Sequence, residues 1–119
     1  MVDFSTAFSV KASDRMLTHQ ELVRSIRLMV TDEYEAVSIY TQLAESTDNE
    51  LARRLLIDIA DEERVHAGEF LKLLSVLAPD ETALYAQGAA EVEEIMATMA
   101  SSPQGQENVP GATIGSLKE

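Results

Sequence analysis

Two stretches of this sequence repeat apolar residues every three or four positions, and each repeat contains a carboxylate near its middle. The first set is Leu22, Ile26, Met29, Glu33, Val37, Tyr40 and Ala44. The second set is Ala52, Leu56, Ile59, Glu63, His66, Phe70, Leu73 and Leu77. This spacing places each set on one face of an α-helix. The sequence therefore predicts two amphipathic helices that turn Glu33, Glu63 and His66 towards a shared core.

Capping signals set the expected bounds of these helices. Thr18 and Glu21 have the spacing of a capping box, so the first helix is expected to begin there and to run to about Glu45. Thr47 and Glu50 have the same spacing and predict the start of the second helix. Because the connection is very short, the two helices are expected to pack as an antiparallel hairpin.

The segment after the hairpin is expected to be a shorter helix. The second helix should end at about Leu77, before Pro79. A third helical segment begins at Pro79, is expected to be interrupted at Gly88, and resumes to about Ala100. No stretch predicts a strand, so the expected fold class is all-α. The expected domains are an N-terminal arm (1–17), a helical hairpin domain (18–100), and a linker rich in Pro and Gly with a terminal peptide (101–119).

Composition excludes several classes of function. The net charge is −12, and nucleic acid is bound by clusters of Lys and Arg, so no nucleic-acid partner is expected. The sequence has no Cys, which excludes disulfides, thiolate metal sites and a thiol nucleophile. No signal peptide and no apolar run long enough to cross a bilayer are recognised, so we expect a soluble cytoplasmic protein without a membrane partner.

The three polar residues in the stripes indicate a metal site. A buried, unpaired carboxylate is costly and is normally paired, protonated or bound to a cation. Carboxylate and imidazole ligands suit divalent iron, manganese and zinc. Three ligands are too few for two metals, whereas di-iron helical bundles use twice this set. Two hairpins related by a two-fold axis would complete both a four-helix bundle and the ligand set, with the site at the subunit interface.

Four neighbouring residues have more than one interpretation each. Tyr40 either has a role at the site, as a hydrogen-bond partner of a ligand or in electron transfer, or packs with a polar tip. Asp32, Glu35 and Glu62 form a secondary site for Ca²⁺ or another divalent cation, line an entry path for the metal, or belong to a solvated helix face. The sequence alone does not choose between these alternatives.

At these residues the chain resembles the encapsulated ferritins, the ferritin-like cargo proteins of encapsulin nanocompartments. The resemblance rests on Asp32-Glu33-Tyr34-Glu35-Ala36-Val37, Tyr40, Ser46-Thr47-Asp48 and Asp61-Glu62-Glu63-Arg64-Val65-His66. It implies a hairpin that dimerises around a di-iron centre with two irons per dimer and assembles into a ring, expected to be a decamer. Glu33, Glu63 and His66 match the iron ligands, Tyr40 matches a tyrosine beside the centre, and Asp32 and Glu35 match acidic positions near the metal access route.

Two positions depart from the pattern of that family. Ile39 stands where many members have a tryptophan, and Asp32 stands where many have a glutamate. These differences leave the iron ligands intact and place only the secondary acidic site in question. Rubrerythrins and classical ferritins share the same Glu and Glu-x-x-His elements but have both halves in one chain.

The C-terminal peptide is similar to an encapsulin cargo-loading peptide. It consists of Thr113, Ile114, Gly115, Ser116, Leu117 and Lys118 at the end of the polar linker. Ile114 and Leu117 would be apolar anchors, and Gly115 would allow the backbone to approach a groove closely. The resemblance implies an encapsulin shell protein as partner and a location inside the nanocompartment.

The resulting hypothesis is a ferroxidase that oxidises Fe(II) to Fe(III) with dioxygen, for iron storage and detoxification inside an encapsulin shell. In it, Glu33, Glu63, His66 and Tyr40 form the catalytic centre. Three alternatives remain on the same hairpin. They are a di-iron or di-manganese protein that reduces peroxide, an assembly module held by zinc or calcium, and a metal-free coiled-coil adaptor.

Overall fold

The computed structural model describes residues 10–101, and within that range the chain forms three α-helices and no strand. They are α1 (His19–Glu45), α2 (Glu50–Leu77) and α3 (Pro79–Ser101). The all-α prediction is confirmed. None of the three helices has an apolar stretch long enough to span a bilayer. The candidate targeting peptide Thr113–Lys118 lies outside the described residues.

The capping box predicted at the start of α1 is present in both directions. The Glu21 backbone N–H donates to the Thr18 hydroxyl oxygen at 3.2 Å, and the Thr18 N–H donates to the Glu21 carboxylate at 2.8 Å. Arg15 adds a bidentate pair to the same carboxylate, with both N···O distances 2.7 Å. The Arg15 hydrogen bonds, followed by the Thr18 N–H, lower the pKa of Glu21 to about 2. This network fixes the start of α1.

The capping box predicted for α2 is wrong. The N-cap of α2 is Asn49, whose side-chain oxygen accepts from the Ala52 N–H at 2.9 Å. The Thr47 hydroxyl instead accepts from the Asn49 N–H at 3.2 Å, within the turn before the helix. Asn is at least as good an N-cap as Thr, and here it stands directly before the first helical residue.

The end of α2 is as predicted, but the interruption of α3 is not. The Ala78 N–H donates to the Leu74 carbonyl oxygen at 2.8 Å, and Pro79 opens α3, where its missing N–H costs nothing. α3 continues through Gly88, whose φ is not positive. One glycine in a helix costs only about 1 kcal/mol relative to alanine, which its neighbours offset. Pro79 also marks the boundary between two compact units, and α1 and α2 make up the first.

The hairpin seam between α1 and α2 lies at the edge of the predicted apolar stripes. The buried residues are Val23, Ile26, Val30 and Ala44 on α1 and Ala60, Ala67 and Leu74 on α2. Many of them recur every seven residues, as in two helices that wrap around each other. Leu22 and Leu73, both predicted to be in the core, are 36% and 40% exposed. A two-helix contact is narrower than the stripes, so part of each stripe faces outward.

The open end of the hairpin is joined by a histidine. His19 Nε2, in the first turn of α1, lies 2.8 Å from the Leu77 carbonyl oxygen at the end of α2. Val23, Ile26 and Leu74 form a small core beside it, against which Phe70 packs. The start of α1 therefore meets the end of α2, as the predicted antiparallel hairpin requires.

Candidate metal centre

The hairpin brings together the three residues that the sequence singled out as ligands. Glu33 comes from α1, and Glu63 and His66 come from α2. One ligand atom from each lies within 4.8 Å of the other two. His66 Nδ1 is 3.7 Å from Glu33 Oε2 and 3.6 Å from Glu63 Oε1. Glu63 and His66 stand three residues apart, which places them on one face of α2.

The group lies at the edge of the seam. The side chains of Glu33 and Glu63 are 16% and 20% exposed, whereas that of His66 is 48% exposed. Two carboxylates are therefore largely withdrawn from water, and the imidazole stands on the open side.

Electrostatics within the group disfavour two separate negative charges. A hydrogen bond to the Glu63 carboxyl, burial, and repulsion by the Glu63 charge raise the pKa of Glu33, and His66 opposes them. Among the described residues, Glu33 Oε2 is buried without a hydrogen-bond donor. Two carboxyl groups this close favour the binding of a proton or a cation.

The residues present fit a divalent cation. Two carboxylate oxygens and one imidazole nitrogen are hard and borderline ligands of the kind that bind iron, manganese and zinc. A cation would neutralise the Glu33 and Glu63 charges, and Glu33 Oε2, which has no hydrogen-bond partner among the described residues, could coordinate it. Within residues 10–101, one chain brings three such residues together, which leaves coordination positions open for a partner or for substrate.

A pocket beside the group contains one residue that the sequence analysis missed. This pocket of about 340 Å³ is lined by Glu33, His66, Glu69 and Phe70. Glu69 lies three residues after His66 on α2, a spacing that could have identified it. Its position outside the apolar stripe is the reason it was not recognised.

The four neighbouring candidates are not part of the group of ligand atoms. Asp32 is partly buried, and its charge contributes to the raised pKa of Glu33. Glu35 and Glu62 are exposed on α1 and α2. Tyr40 is partly buried on α1, seven residues after Glu33, which corresponds to about 10 Å along the axis. Their proposed roles stay predictions.

A larger pocket of about 510 Å³ is formed by a separate set of residues on the same two helices. It is lined by Tyr34, Val37, Ser38, Arg64, Ala67, Gly68 and Leu71. Its one charged group, Arg64, is paired with Asp61 at 2.6 Å. This pocket holds no carboxylate or imidazole, so it lacks the chemistry of a metal site.

Comparison with known proteins agrees with the fold. Residues 25–108 match the rubrerythrin family. This range includes Glu33, Glu63 and His66. The chain belongs to the rubrerythrin family.

Two relatives of this chain are associated with encapsulins by name. The chain is 37% identical over 82 residues to a ferritin-like-encapsulin shell fusion protein of Pyrococcus furiosus, covering 69% of this chain and 24% of that protein. It is 39% identical over 87 residues to the encapsulin nanocompartment cargo protein EncC of Myxococcus xanthus, covering 73% of this chain and 66% of that protein. The matches thus span less than two thirds of the length of either relative.

A solved structure has the same fold as this rubrerythrin-family chain. The encapsulated ferritin domain from Pyrococcus furiosus superposes with a TM-score of 0.70 at 34% sequence identity. The match covers 77% of this chain and 94% of that domain. The resemblance to encapsulated ferritins that the sequence analysis stated is confirmed.

Proposed function

We propose that this protein is a ferroxidase that binds two Fe(II) ions between two copies of the chain and oxidises them with dioxygen. The observation that supports this most is the convergence of Glu33, Glu63 and His66, whose ligand atoms lie within 4.8 Å of one another. Membership of the rubrerythrin family agrees with di-iron chemistry. Two Fe(II) ions held together can each give one electron to the same dioxygen molecule.

The chain's own residues would do three things in this reaction. Glu33 and Glu63 bind Fe(II) through oxygen atoms that are largely withdrawn from water, where charge interactions are strong. The raised pKa of Glu33 means that it holds a proton more readily than usual in the metal-free protein, and cation binding releases that proton. His66 Nδ1 adds a nitrogen ligand from the open side of the group.

The proposal requires two chains for each pair of irons. Three ligands from one hairpin do not hold two metal ions, whereas a two-fold axis beside His66 would bring six ligands together. The same association would cover the outward-facing parts of the apolar stripes, such as Leu22 and Leu73. It would complete a four-helix bundle, and we propose that such dimers assemble further into a decameric ring.

The proposed cellular role is iron storage and detoxification inside an encapsulin shell in the cytoplasm. An open ring encloses no mineral by itself, so the oxidised iron would need the shell. The relatives from Pyrococcus furiosus and Myxococcus xanthus support this association through their names. The peptide Thr113–Lys118 would dock on the shell protein through Ile114 and Leu117.

Aerobic oxidation of Fe(II), followed by the absorbance of Fe(III), tests the proposal. We expect Glu33→Ala, Glu63→Ala and His66→Ala to lose at least about 90% of the initial rate, because each removes a ligand of both irons. Native mass must show that each variant keeps its assembly. Oxidation at the wild-type rate by the three variants would contradict the ferroxidase assignment.

A second candidate is reduction of peroxide, which the match to the rubrerythrin family favours. The chain has no Cys with which to build its own thiolate electron-transfer centre, so reduction of the oxidised irons would need a separate protein. Stopped-flow rates of Fe(II) oxidation with dioxygen and with hydrogen peroxide distinguish the two activities. A much faster reaction with peroxide would favour the second candidate.

A further inference from the structure

The orientation of the His66 ring directs one ring nitrogen at the carboxylates and leaves the other, Nε2, without an assigned partner. Nδ1 faces the two carboxylates, at 3.6 Å from Glu63 Oε1 and 3.7 Å from Glu33 Oε2. Nε2, across the ring, is therefore turned away from both. A neutral imidazole that gives its Nδ1 lone pair to a cation holds its proton on Nε2. Metal-binding histidines usually donate that second N–H to a carboxylate, a carbonyl or water.

The pocket beside His66 offers one side chain for this hydrogen bond. Of the residues that line it, Glu33 belongs to the ligand group and Phe70 has no polar atom, which leaves Glu69. Helical side chains lean towards the N-terminus of their helix, over the preceding turn. Glu69 and Phe70 follow His66 by three and four residues, so both lean over the imidazole.

Glu69 is also free to take this role. Its carboxylate forms no hydrogen bond or ion pair with any residue in the range 10–101. Other acidic residues of α2 are engaged within the helix, such as Glu50 with Arg54 at 2.8 Å and Asp61 with Arg64 at 2.6 Å. The Glu69 side chain is exposed, so no packed neighbour fixes its rotamer.

We propose that Glu69 is a positioning residue for the metal centre, which accepts the hydrogen bond from His66 Nε2–H when Nδ1 binds a cation. This proposal rests on the proposed metal binding by Glu33, Glu63 and His66. Glu69 would hold the ring in the plane that directs Nδ1 at the metal. Its negative charge would also make the imidazole a stronger donor. Phe70 would limit the tilt of the ring from the other side.

Binding of Zn(II), which is redox-inactive, tests this without any oxidation assay. Affinity is measured by competition with a chromophoric chelator on wild type, Glu69→Ala, Glu69→Gln and the control Asp58→Asn. Loss of such a partner typically weakens metal binding by roughly 10- to 100-fold, which is the expectation for Glu69→Ala. Glu69→Gln keeps an acceptor oxygen and should recover part of that loss. Asp58→Asn removes an exposed charge elsewhere on α2 and should bind like wild type.

A second readout detects the hydrogen bond itself. The chain has two histidines, His19 and His66, so ¹H–¹⁵N spectra of the histidine side chains are simple, and His19→Gln assigns them. In the zinc-loaded protein we expect a His66 Nε2–H signal protected from exchange with water. That signal should persist in Glu69→Gln and disappear in Glu69→Ala.

The outcomes separate this proposal from the proposed function. If His66→Ala abolishes zinc binding but Glu69→Ala leaves the affinity or the Nε2–H signal unchanged, water is the partner of Nε2 and the role of Glu69 is overturned. If wild-type protein binds no zinc and oxidises no iron, both the metal centre and the role of Glu69 are overturned. Native mass of each variant shows whether the assembly is retained.

Discussion

Glu33 and Glu63 are two carboxyl groups that lie close together at the edge of the hairpin seam. Both are largely withdrawn from water, and Glu33 Oε2 is buried without a hydrogen-bond donor among the described residues. The raised pKa of Glu33 means that the pair favours a bound proton, and under the proposed function a cation takes the place of that proton. We therefore expect these two side chains to make stability depend on pH and on metal.

The metal-free protein should become less stable as pH rises through the pKa of Glu33. Because this pKa is raised in the folded protein, its stabilising effect is complete below the pKa of the unfolded chain and is lost at higher pH. Glu33→Gln removes this dependence and should raise the melting temperature by a few degrees at neutral pH.

Thermal melts of chelator-treated protein between about pH 4 and pH 8 check this prediction, because a glutamate in an unfolded chain titrates near the lower limit of that range. Wild type and Glu33→Gln should converge at the acidic end, and the control Asp58→Asn should follow wild type throughout. A wild-type melting temperature that does not fall towards neutral pH would contradict the prediction.

The candidate metal ligands could be predicted from the sequence more readily than Glu69, the proposed positioning residue. Glu33, Glu63 and His66 were identified because a carboxylate or an imidazole within an apolar stripe is conspicuous. Glu69 was not, because an exposed glutamate on a helix resembles any solvated residue until the orientation of the His66 ring is known. Ring orientation depends on packing across the hairpin, which spacing along one helix does not reveal.

The helix ends differ in how clearly the sequence marks them. At α1, Thr18 and Glu21 satisfy each other, and Arg15 adds two further hydrogen bonds. At α2, Thr47 and Asn49 are both residue types that cap helices. Asn49 is the N-cap, because its side-chain oxygen accepts the hydrogen bond from the Ala52 N–H. Capping signals in the sequence thus predicted where both helices begin, but the local geometry determines which residue is the N-cap.

Removal of the α1 cap should be costly. Thr18→Ala leaves the Glu21 backbone N–H without its side-chain acceptor and should destabilise the protein by about 1 kcal/mol. The control is Thr31→Ala, since the Thr31 hydroxyl donates to the Arg27 carbonyl oxygen inside the helix and alanine is the better helix former. Urea unfolding at one fixed protein concentration measures both, and equal stability of the two variants would contradict the assigned cap.

Alanine at position 88 should stabilise α3. A Cβ built on Gly88 meets no atom within 4 Å, and the residue has no positive φ that only glycine favours. Gly88→Ala should therefore stabilise the helix by about 0.5–1 kcal/mol and slow hydrogen exchange of α3 amides by roughly two- to five-fold. Ala89→Gly is the matched control and should accelerate exchange. No slowing in Gly88→Ala would mean that position 88 needs glycine for a contact outside the described chain.

At the level of the whole molecule, the apolar stripes predicted a larger buried surface than the contact between the two helices of one hairpin provides. The seam follows Val23, Val30, Ala60 and Ala67, while Leu22 and Leu73 remain exposed. The sequence could show which residues are apolar and periodic, but not how they divide between the hairpin and a partner. The outward-facing residues and the three candidate ligands belong to the same two stripes, which is why we propose a second copy at this face.

Delivery to a shell should depend on the C-terminal peptide and not on the metal centre. Deletion of Thr113–Glu119 is expected to leave the rate of Fe(II) oxidation unchanged and to abolish loading into a co-expressed encapsulin shell. Leu117→Asp should reduce loading in the same assay, because it places a charge on a proposed apolar anchor. Loading that persists in both variants would remove the targeting role from this segment.

The central claim is that Glu33, Glu63 and His66 of two chains together hold two irons. Native mass spectrometry of the anaerobic protein during Fe(II) addition tests it most directly, because mass gives both the number of chains and the number of bound metals. We predict two irons for each pair of chains, and none in assemblies of Glu63→Ala or His66→Ala. Iron bound by single chains, or full iron binding by those variants, would contradict the account.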